Sequence, residues 1–438
     1  MMIHVVQSGD TIKSIADLYG TPVDKIIRDN ALDPLATLVV GQCIVITYPE
    51  QIYIVKDGDT LSGIAVSNDI SVMQLLMNNP QLSDREDIEP GEILILRYNR
   101  KGYITTHGNT FPYINKDTLR KTLPYLTYLS ILNYTATSEG DIITFYDDSE
   151  IINLAKAYQV VPLLLLTTLT LKGEANIQIA YEVLLNTDFQ NRQIDNLLTI
   201  LRTKGYQGVN LSFEYINISN LHLYENYLMN MTNRLGQEGY QVFITINPNI
   251  TEQNNEIRFE KVNYTLLDNA SYNTIFMSYE WAKNVNPPAP ISSVRNIDAF
   301  LSFISQSISM EKVILGIATL GYDWELPYYI NVSSVNSLTM ERAVDLAREV
   351  NVEIKFDETS QTPYFFYTLT ENFNQVLHIV WFIDARSIHS LLDLGAEYNI
   401  LGISIWNITI YNPQLWLIIN SQYEIIKQPD KPISVQCK

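Results

Sequence analysis

Apolar positions in the first hundred residues follow a pattern that then repeats. A short β-rich run, His4-Val5-Val6, meets Gln7-Ser8-Gly9-Asp10-Thr11, and apolar residues follow at Ile12, Ile15, Ala16 and Tyr19. Tyr53-Ile54-Val55 meets Lys56-Asp57-Gly58-Asp59-Thr60 in the same way, with Leu61, Ile64 and Ala65 after it. Spacings of three and four place each set on one helical face. The Asp or Thr ahead of each run caps its helix by accepting from the free N–H groups. A second helical pattern runs through Val23, Ile26 and Ile27, and through Val72, Leu75 and Leu76. It stops at Asn30 in the first copy and at Asn79-Pro80 in the second, where proline ends a helix. Each copy closes with glycine and an apolar strand, Gly41-Gln42-Cys43-Ile44-Val45-Ile46 and Gly91-Glu92-Ile93-Leu94-Ile95-Leu96. The pattern predicts two strand–helix–helix–strand units, at 1–49 and 50–99.

From residue 100 onward, strand-like runs alternate with helical stretches. The candidate strands are Gly102–Thr106, Tyr128–Tyr134, Val160–Leu166, Gly208–Glu214, Gln241–Asn247, Thr274–Tyr279, Lys312–Ala318 and Leu401–Trp406. Helical segments such as Gln190–Lys204, with Ile194, Leu197, Leu198 and Leu201 on one face, separate most of them. This alternation predicts an α/β fold, a (β/α)8 barrel over 100–438, with a small α+β insertion between the last two strands at about 323–380. Among these runs Gly208–Glu214 stands apart. Val209, Leu211 and Phe213 fall on one face, Asn210, Ser212 and Glu214 on the other. A strand of a parallel sheet is normally apolar on both faces, so a polar face ending in a carboxylate points to a site.

Barrel chemistry belongs at the C-terminal ends of the strands. Those ends collect Asn133-Tyr134, Glu214, Asn247, Tyr279-Glu280-Trp281, Tyr322-Asp323-Trp324 and Trp406-Asn407. Indole faces that stack on sugar rings would explain why Trp281, Trp324, Trp381 and Trp406 lie near strand ends, and this reading is favoured over large aromatics that merely plug the barrel mouth.

Composition narrows the function classes. The chain has 438 residues, 46% hydrophobic and 18% charged, as in a folded protein of two or three domains. A net charge of −19 leaves no basic surplus for nucleic acid or for an anionic membrane. Two cysteines, Cys43 and Cys437, do not make a disulfide scaffold, and the five histidines form no ligand-spaced pair, so no metal and no cofactor is expected. The opening residues reach Gln7-Ser8-Gly9-Asp10 before any long apolar run, which is unlike a secretory signal. The expectation is a protein kept inside a cell or released by another route.

The duplicated unit resembles the LysM domain in pattern, length and its Gly-Asp-Thr signature. The resemblance implies binding of N-acetylglucosamine-containing glycans, with Gly9, Asp10, Thr11, Ile12 and Asn30 around the groove of the first copy. Gly58, Asp59, Thr60, Leu61 and Asn79 take those places in the second. Gly208-Val209-Asn210-Leu211-Ser212-Phe213-Glu214 is similar to the fourth-strand signature of glycoside hydrolase family 18, D-G-x-D-x-D-x-E. Phe276-Met277-Ser278-Tyr279-Glu280-Trp281 resembles that family's M-x-Y-D motif, and Gly402-Ile403-Ser404-Ile405-Trp406 its last strand. Val380-Trp381-Phe382-Ile383-Asp384-Ala385-Arg386-Ser387 and Gly321-Tyr322-Asp323-Trp324 resemble the branch of spore cortex-lytic N-acetylglucosaminidases.

That resemblance implies a retaining hydrolase in which the substrate's own acetamido oxygen attacks the anomeric carbon. Glu214 would be the acid/base, Tyr279 would hold the acetamido group, and Trp406 would floor the sugar, with Glu280, Trp281, Tyr322 and Asp323 beside it. It also implies a peptidoglycan partner and a place in the spore coat or cortex among other coat proteins. The chain departs from the family at Ser212, where a carboxylate normally orients the acetamide, and at Asn210 and Gln207, which also replace aspartates. A hydroxyl accepts the N–H hydrogen bond but supplies no charge, a loss on the order of a few kcal/mol, or about a hundredfold in rate. Two readings follow: a peptidoglycan glycosidase anchored by LysM repeats, favoured by Glu214, Tyr279 and Trp406, and a weakly active or inactive glycan-binding protein, favoured by Ser212.

Overall fold

The computed structural model describes residues 1–83, 87–168, 176–213, 216–248, 250–253, 256–277, 287–330, 332–371 and 374–427. In the first unit, Met2–Val5 pairs antiparallel with Cys43–Ile46 around the helices Ile12–Tyr19 and Val23–Asn30. In the second, Gln51–Ile54 pairs with Ile93–Arg97 around Leu61–Ser67 and Val72–Asn78. The repeated sequence gives repeated local chemistry. Gly9 and Gly58 take φ of +92° and +81°, which suits a residue without Cβ. Thr11 and Thr60 then cap the helices, accepting from Ser14 N and Gly63 N at 3.0 Å each. Each unit encloses its own small core, Ile15, Ile26 and Ile44 in one, Ile64, Leu75 and Leu94 in the other.

Eight parallel strands close into a barrel: β1 (Gly102–Thr110), β2 (Tyr128–Ala136), β3 (Val161–Thr167), β4 (Gly208–Phe213), β5 (Gln241–Ile246), β6 (Asn273–Phe276), β7 (Val313–Ala318) and β8 (Gly402–Trp406). β8 pairs with β1 and β1 with β2, which completes the ring. At the β8–β1 seam the backbones touch: a Cβ on Gly402 would lie 1.9 Å from Thr105 O, so only glycine closes the ring there. Outward residues such as Leu129, Leu164, Val209, Leu211 and Ile403 pack against helix residues including Leu197, Leu228, Phe300 and Leu391. Leu163, Leu165, Phe243, Ile275 and Ile314 fill the interior. β1 runs four residues beyond the predicted Thr106 because its inward polar side chains find partners inside the barrel.

Between β7 and β8 the chain builds a five-stranded antiparallel sheet from Leu320–Leu326, Val335–Thr339, Lys355–Asp357, Thr362–Glu371 and Asn374–Trp381, backed by the helix Met340–Glu349. This is the expected α+β insertion. Among the described residues no helix is long and apolar enough to cross a membrane.

The two N-terminal units sit directly on the rest of the molecule. Val39 enters the apolar core of the insertion, and Ile354 N donates to Val40 O at 2.9 Å. Gln414, on the helix Pro413–Gln422, donates to both Asn30 Oδ1 and Cys43 O at 2.9 Å. Six residues along, Asn420 donates to Met77 O at 3.1 Å and Asn78 Oδ1 at 2.9 Å. One helix of the barrel thus splices both units. Asp384 accepts from Arg386 Nη2 at 2.7 Å and from Cys43 Sγ at 3.2 Å, while Arg386 lies over the Phe356 ring and donates to Gly41 O. The Asp384-Ala385-Arg386-Ser387 motif is therefore a clamp on the first unit.

Candidate active site

The inward faces of β1, β2, β4, β5 and β8 carry polar side chains where an ordinary barrel carries apolar ones. His107 reaches Ser404 Oγ with Nδ1 and Ser130 Oγ with Nε2, both at 2.7 Å. Asn109 donates to Ser404 Oγ and to Ile405 O, each at 3.1 Å. On the far side Asn210 donates to Ser130 Oγ at 3.2 Å and accepts from Thr245 Oγ1 at 2.8 Å. The result is a buried hydrogen-bonded chain across the barrel, Asn109–Ser404–His107–Ser130–Asn210–Thr245. Burial drives the His107 pKa down to about 3, so the imidazole is neutral, donating from one nitrogen and accepting at the other.

Ser212 lies next along the inward face of β4, opposite Thr245 in register and less buried than Asn210. The carboxylate expected after it, Glu214, lies outside the described residues, as do Tyr279, Glu280 and Trp281. Trp406 ends β8 at the barrel mouth, 9% exposed, beside Met277 and Ala318, and the Trp406–Asn407 peptide is cis. On the insertion sheet, Tyr322, Trp381 and Tyr364 are cross-strand neighbours on one face, and Trp381 stacks on Tyr364 at 4.5 Å. Asp323 points the opposite way. It accepts from Tyr367 Oη at 2.7 Å, pairs with His378 Nδ1 at 3.1 Å, and is buried against the insertion core. Its neighbour Tyr322 is therefore the one of the pair on the aromatic face; the period of two separates them.

In the N-terminal units the conserved geometry of the repeat uses side chains internally. Asp10 accepts from Gln7 N and pairs with His4 Nε2; Asp59 accepts from Lys56 N and Tyr53 Oη. Asn30 was expected at the glycan groove, but its side chain is buried, donating to Ile26 O and Val45 O and accepting from Val45 N. Asn79 repeats this with Leu75 O, Ile95 O and Ile95 N. Both amides tie a helix end to the closing strand, which occupies their hydrogen-bonding capacity. Ile12 and Leu61 remain partly exposed beside the turns.

The profile of glycosyl hydrolases family 18 matches residues 165–410. The chain belongs to glycosyl hydrolase family 18. LysM domain profiles match residues 4–47 and 53–97. The cortical fragment-lytic enzyme of Bacillus anthracis is 29% identical over 435 residues, covering 98% of this chain and all of that protein. The crystal structure of the Bacillus cereus spore cortex-lytic enzyme SleL superposes with a TM-score of 0.78 at 30% identity, covering 98% of this chain and 99% of the other. A chitinase from Chromobacterium violaceum, 17% identical with a TM-score of 0.64 over 73% of this chain and 98% of its own, shares the fold.

The family 18 match spans β4 and its polar stripe. Asn210 and Ser212 lie on the polar face that alternation in β4 predicts, whereas His107 joins them from β1, where no motif singles it out. The available signal was the alternation Thr105, His107, Asn109 in β1, which puts three polar groups on one strand face.

Proposed function

We propose that this family 18 chain hydrolyses glycosidic bonds next to N-acetylglucosamine in spore-cortex peptidoglycan, with retention and with the substrate's acetamido group as nucleophile. The observation that carries the reading is the polar inward face of β4 running toward Glu214 in a barrel whose mouth presents Trp406, in a chain alignable end to end with cortex-lytic enzymes. In this reading Glu214 protonates the glycosidic oxygen and then activates water, the single acid/base that a substrate-assisted mechanism requires. Tyr279 donates to the acetamido carbonyl, Trp406 stacks beneath the sugar, and Glu280, Trp281 and Tyr322 line the approach. Asn210 anchors β4 mid-strand to Ser130 and Thr245, which fixes the inward face on which Ser212 also lies.

Ser212 favours a second reading, a glycan-binding protein of low turnover, because a hydroxyl offers no charge to the positive intermediate. The two part on release of reducing ends from purified cortex. Hydrolysis requires wild type to exceed Glu214→Gln clearly; equal background rates in both would leave binding alone. Ser212→Asp should raise the rate about tenfold or more if the missing charge limits turnover.

The LysM repeats would anchor the enzyme to the same polymer through the turns Gly9-Asp10-Thr11-Ile12 and Gly58-Asp59-Thr60-Leu61. Replacing Ile12 and Leu61 together with Asn should reduce co-sedimentation with peptidoglycan, and undiminished sedimentation would refute anchoring through these turns. Spore cortex or coat is the location this substrate implies.

A further inference from the structure

Trp406 ends β8, and the backbone that carries its indole is held from both sides. On one side is β1: Asn109 Nδ2 donates to Ile405 O at 3.1 Å, and Asn109 O accepts from Ile408 N at 3.0 Å. On the other side is Thr319, the single residue between β7, which ends at Ala318, and the first insertion strand, which starts at Leu320. Its N–H donates to Trp406 O at 3.2 Å. Its hydroxyl donates to the same carbonyl at 3.1 Å and to Asn407 O at 3.2 Å, sharing one proton between two successive carbonyls. Asn407 is tied in its turn, its Oδ1 accepting from Thr409 N at 3.0 Å and from the Thr409 hydroxyl. Each residue from Ile405 to Thr409 thus takes part in at least one of these bonds.

The plain explanation of Thr319 is a hydroxyl that satisfies carbonyls at a strand end. Its own N–H already does that for Trp406 O, so ordinary pairing does not require the hydroxyl there. A carbonyl has room for a second donor, and what the second donor adds is restraint. Two groups of one residue, reaching neighbouring carbonyls, fix the peptide plane that follows the Trp406 Cα and so the direction in which the indole projects. The ring is 9% exposed, meets Phe111 edge-on at 6.1 Å and packs with Met277 and Ala318. Those contacts limit the rotation of the ring, whereas Thr319 acts on the backbone beneath it. Three residues after Thr319 comes Tyr322, on the aromatic face of the insertion. Thr319 therefore stands where β7, the backbone of the indole and the root of the insertion sheet meet.

A ring that supports a reacting sugar has to be placed closely, because a displacement of about 1 Å costs about a hundredfold in rate. We propose that Thr319 is a positioning residue, whose hydroxyl holds the Trp406 indole where the sugar stacked on it presents its glycosidic bond to the acid. This deepens the proposed function and rests on its placing a sugar over Trp406. Thr319 touches no substrate and acts through the indole.

The test compares release of reducing ends from purified cortex by the full-length wild type, Thr319→Val, Thr319→Ser, Trp406→Ala and Thr319→Val/Trp406→Ala. Valine keeps the shape and removes the donor, and the rate should fall about tenfold. Thr319→Ser, which keeps the donor, should recover most of that loss. In the Trp406→Ala background the valine should change nothing, because a group that acts through the indole has no effect once the indole is gone. A loss of the same size in that background overturns the positioning role and leaves a strand-end cap. Thr319→Val equal to wild type, with Trp406→Ala impaired, overturns it while hydrolysis stands. Trp406→Ala equal to wild type instead sinks the sugar floor at Trp406, and the role of Thr319 with it. If wild type releases no more than Glu214→Gln, hydrolysis has failed, and calorimetric affinity for the six-sugar N-acetylglucosamine oligomer replaces the rate. The LysM repeats are common to all these proteins, so equal affinities of wild type and Thr319→Val would then reject the proposal.

Discussion

Neutral groups make up the hydrogen-bonded chain that crosses the barrel interior: His107, Asn109, Ser130, Asn210, Thr245 and Ser404. Water-poor surroundings strengthen each hydrogen bond and penalise each unpaired charge. His107 makes the sign of one pH effect definite. Its pKa is about 3 in the folded chain against about 6.5 unfolded, so the unfolded state takes up a proton first as pH falls. Stability from this group is therefore flat above about pH 6.5 and declines as pH drops from there toward 3. Urea unfolding at pH 7 and pH 4.5 should show this decline in wild type and a smaller one in His107→Leu, which has no proton to bind. An equal decline in both would mean His107 titrates normally. The same surroundings bear on Ser212→Asp. A new carboxyl near neutral neighbours has its pKa raised by burial, so any gain in rate should grow as pH rises through that value.

Among the elements, the helix Pro413–Gln422 has two faces of consequence. Leu415, Trp416, Ile418 and Ile419 pack into the barrel's outer core, as their spacing dictates. Gln414 and Asn420 face the LysM units instead and replace water on four acceptors. Gln414→Ala strands Asn30 Oδ1 and Cys43 O with less than their full complement, and should cost about 1–3 kcal/mol in chemical denaturation. A change below a few tenths would show that water takes over the bonds. The periodicity of this helix is legible in sequence, but which polar side chain meets which carbonyl is not, because the partners lie 342 to 384 positions away. The same limit separates Tyr322 from Asp323: a strand's period of two says they face opposite ways, and only the sheet's packing says which way is inward.

As a whole molecule, the LysM units and the barrel are one packed body rather than beads on a linker. Cys43, Val45 and Met77 belong to the same buried apolar cluster as the barrel's outer layer, and Tyr125 Oη donates to Met77 O at 2.7 Å. Residues 100–438 alone should therefore unfold several degrees lower than the full chain, or aggregate, in a thermal melt. A fragment as stable as the full chain would show the docking to be energetically idle. For the proposed function, the consequence is that the LysM turns keep a fixed separation from the barrel mouth. Sequence by itself determined the local order: the repeated turn-and-cap units, the eight strands, the polar stripe of β4 and the family these motifs mark. These follow from spacing and from side chains acting on their own backbone. Tertiary structure decided what each polar side chain does. It turned Asn30 and Asn79 into internal ties, Asp323 away from the aromatic face, and His107 into the centre of the barrel. Those outcomes depend on partners distant in sequence, and pattern along the chain does not carry them.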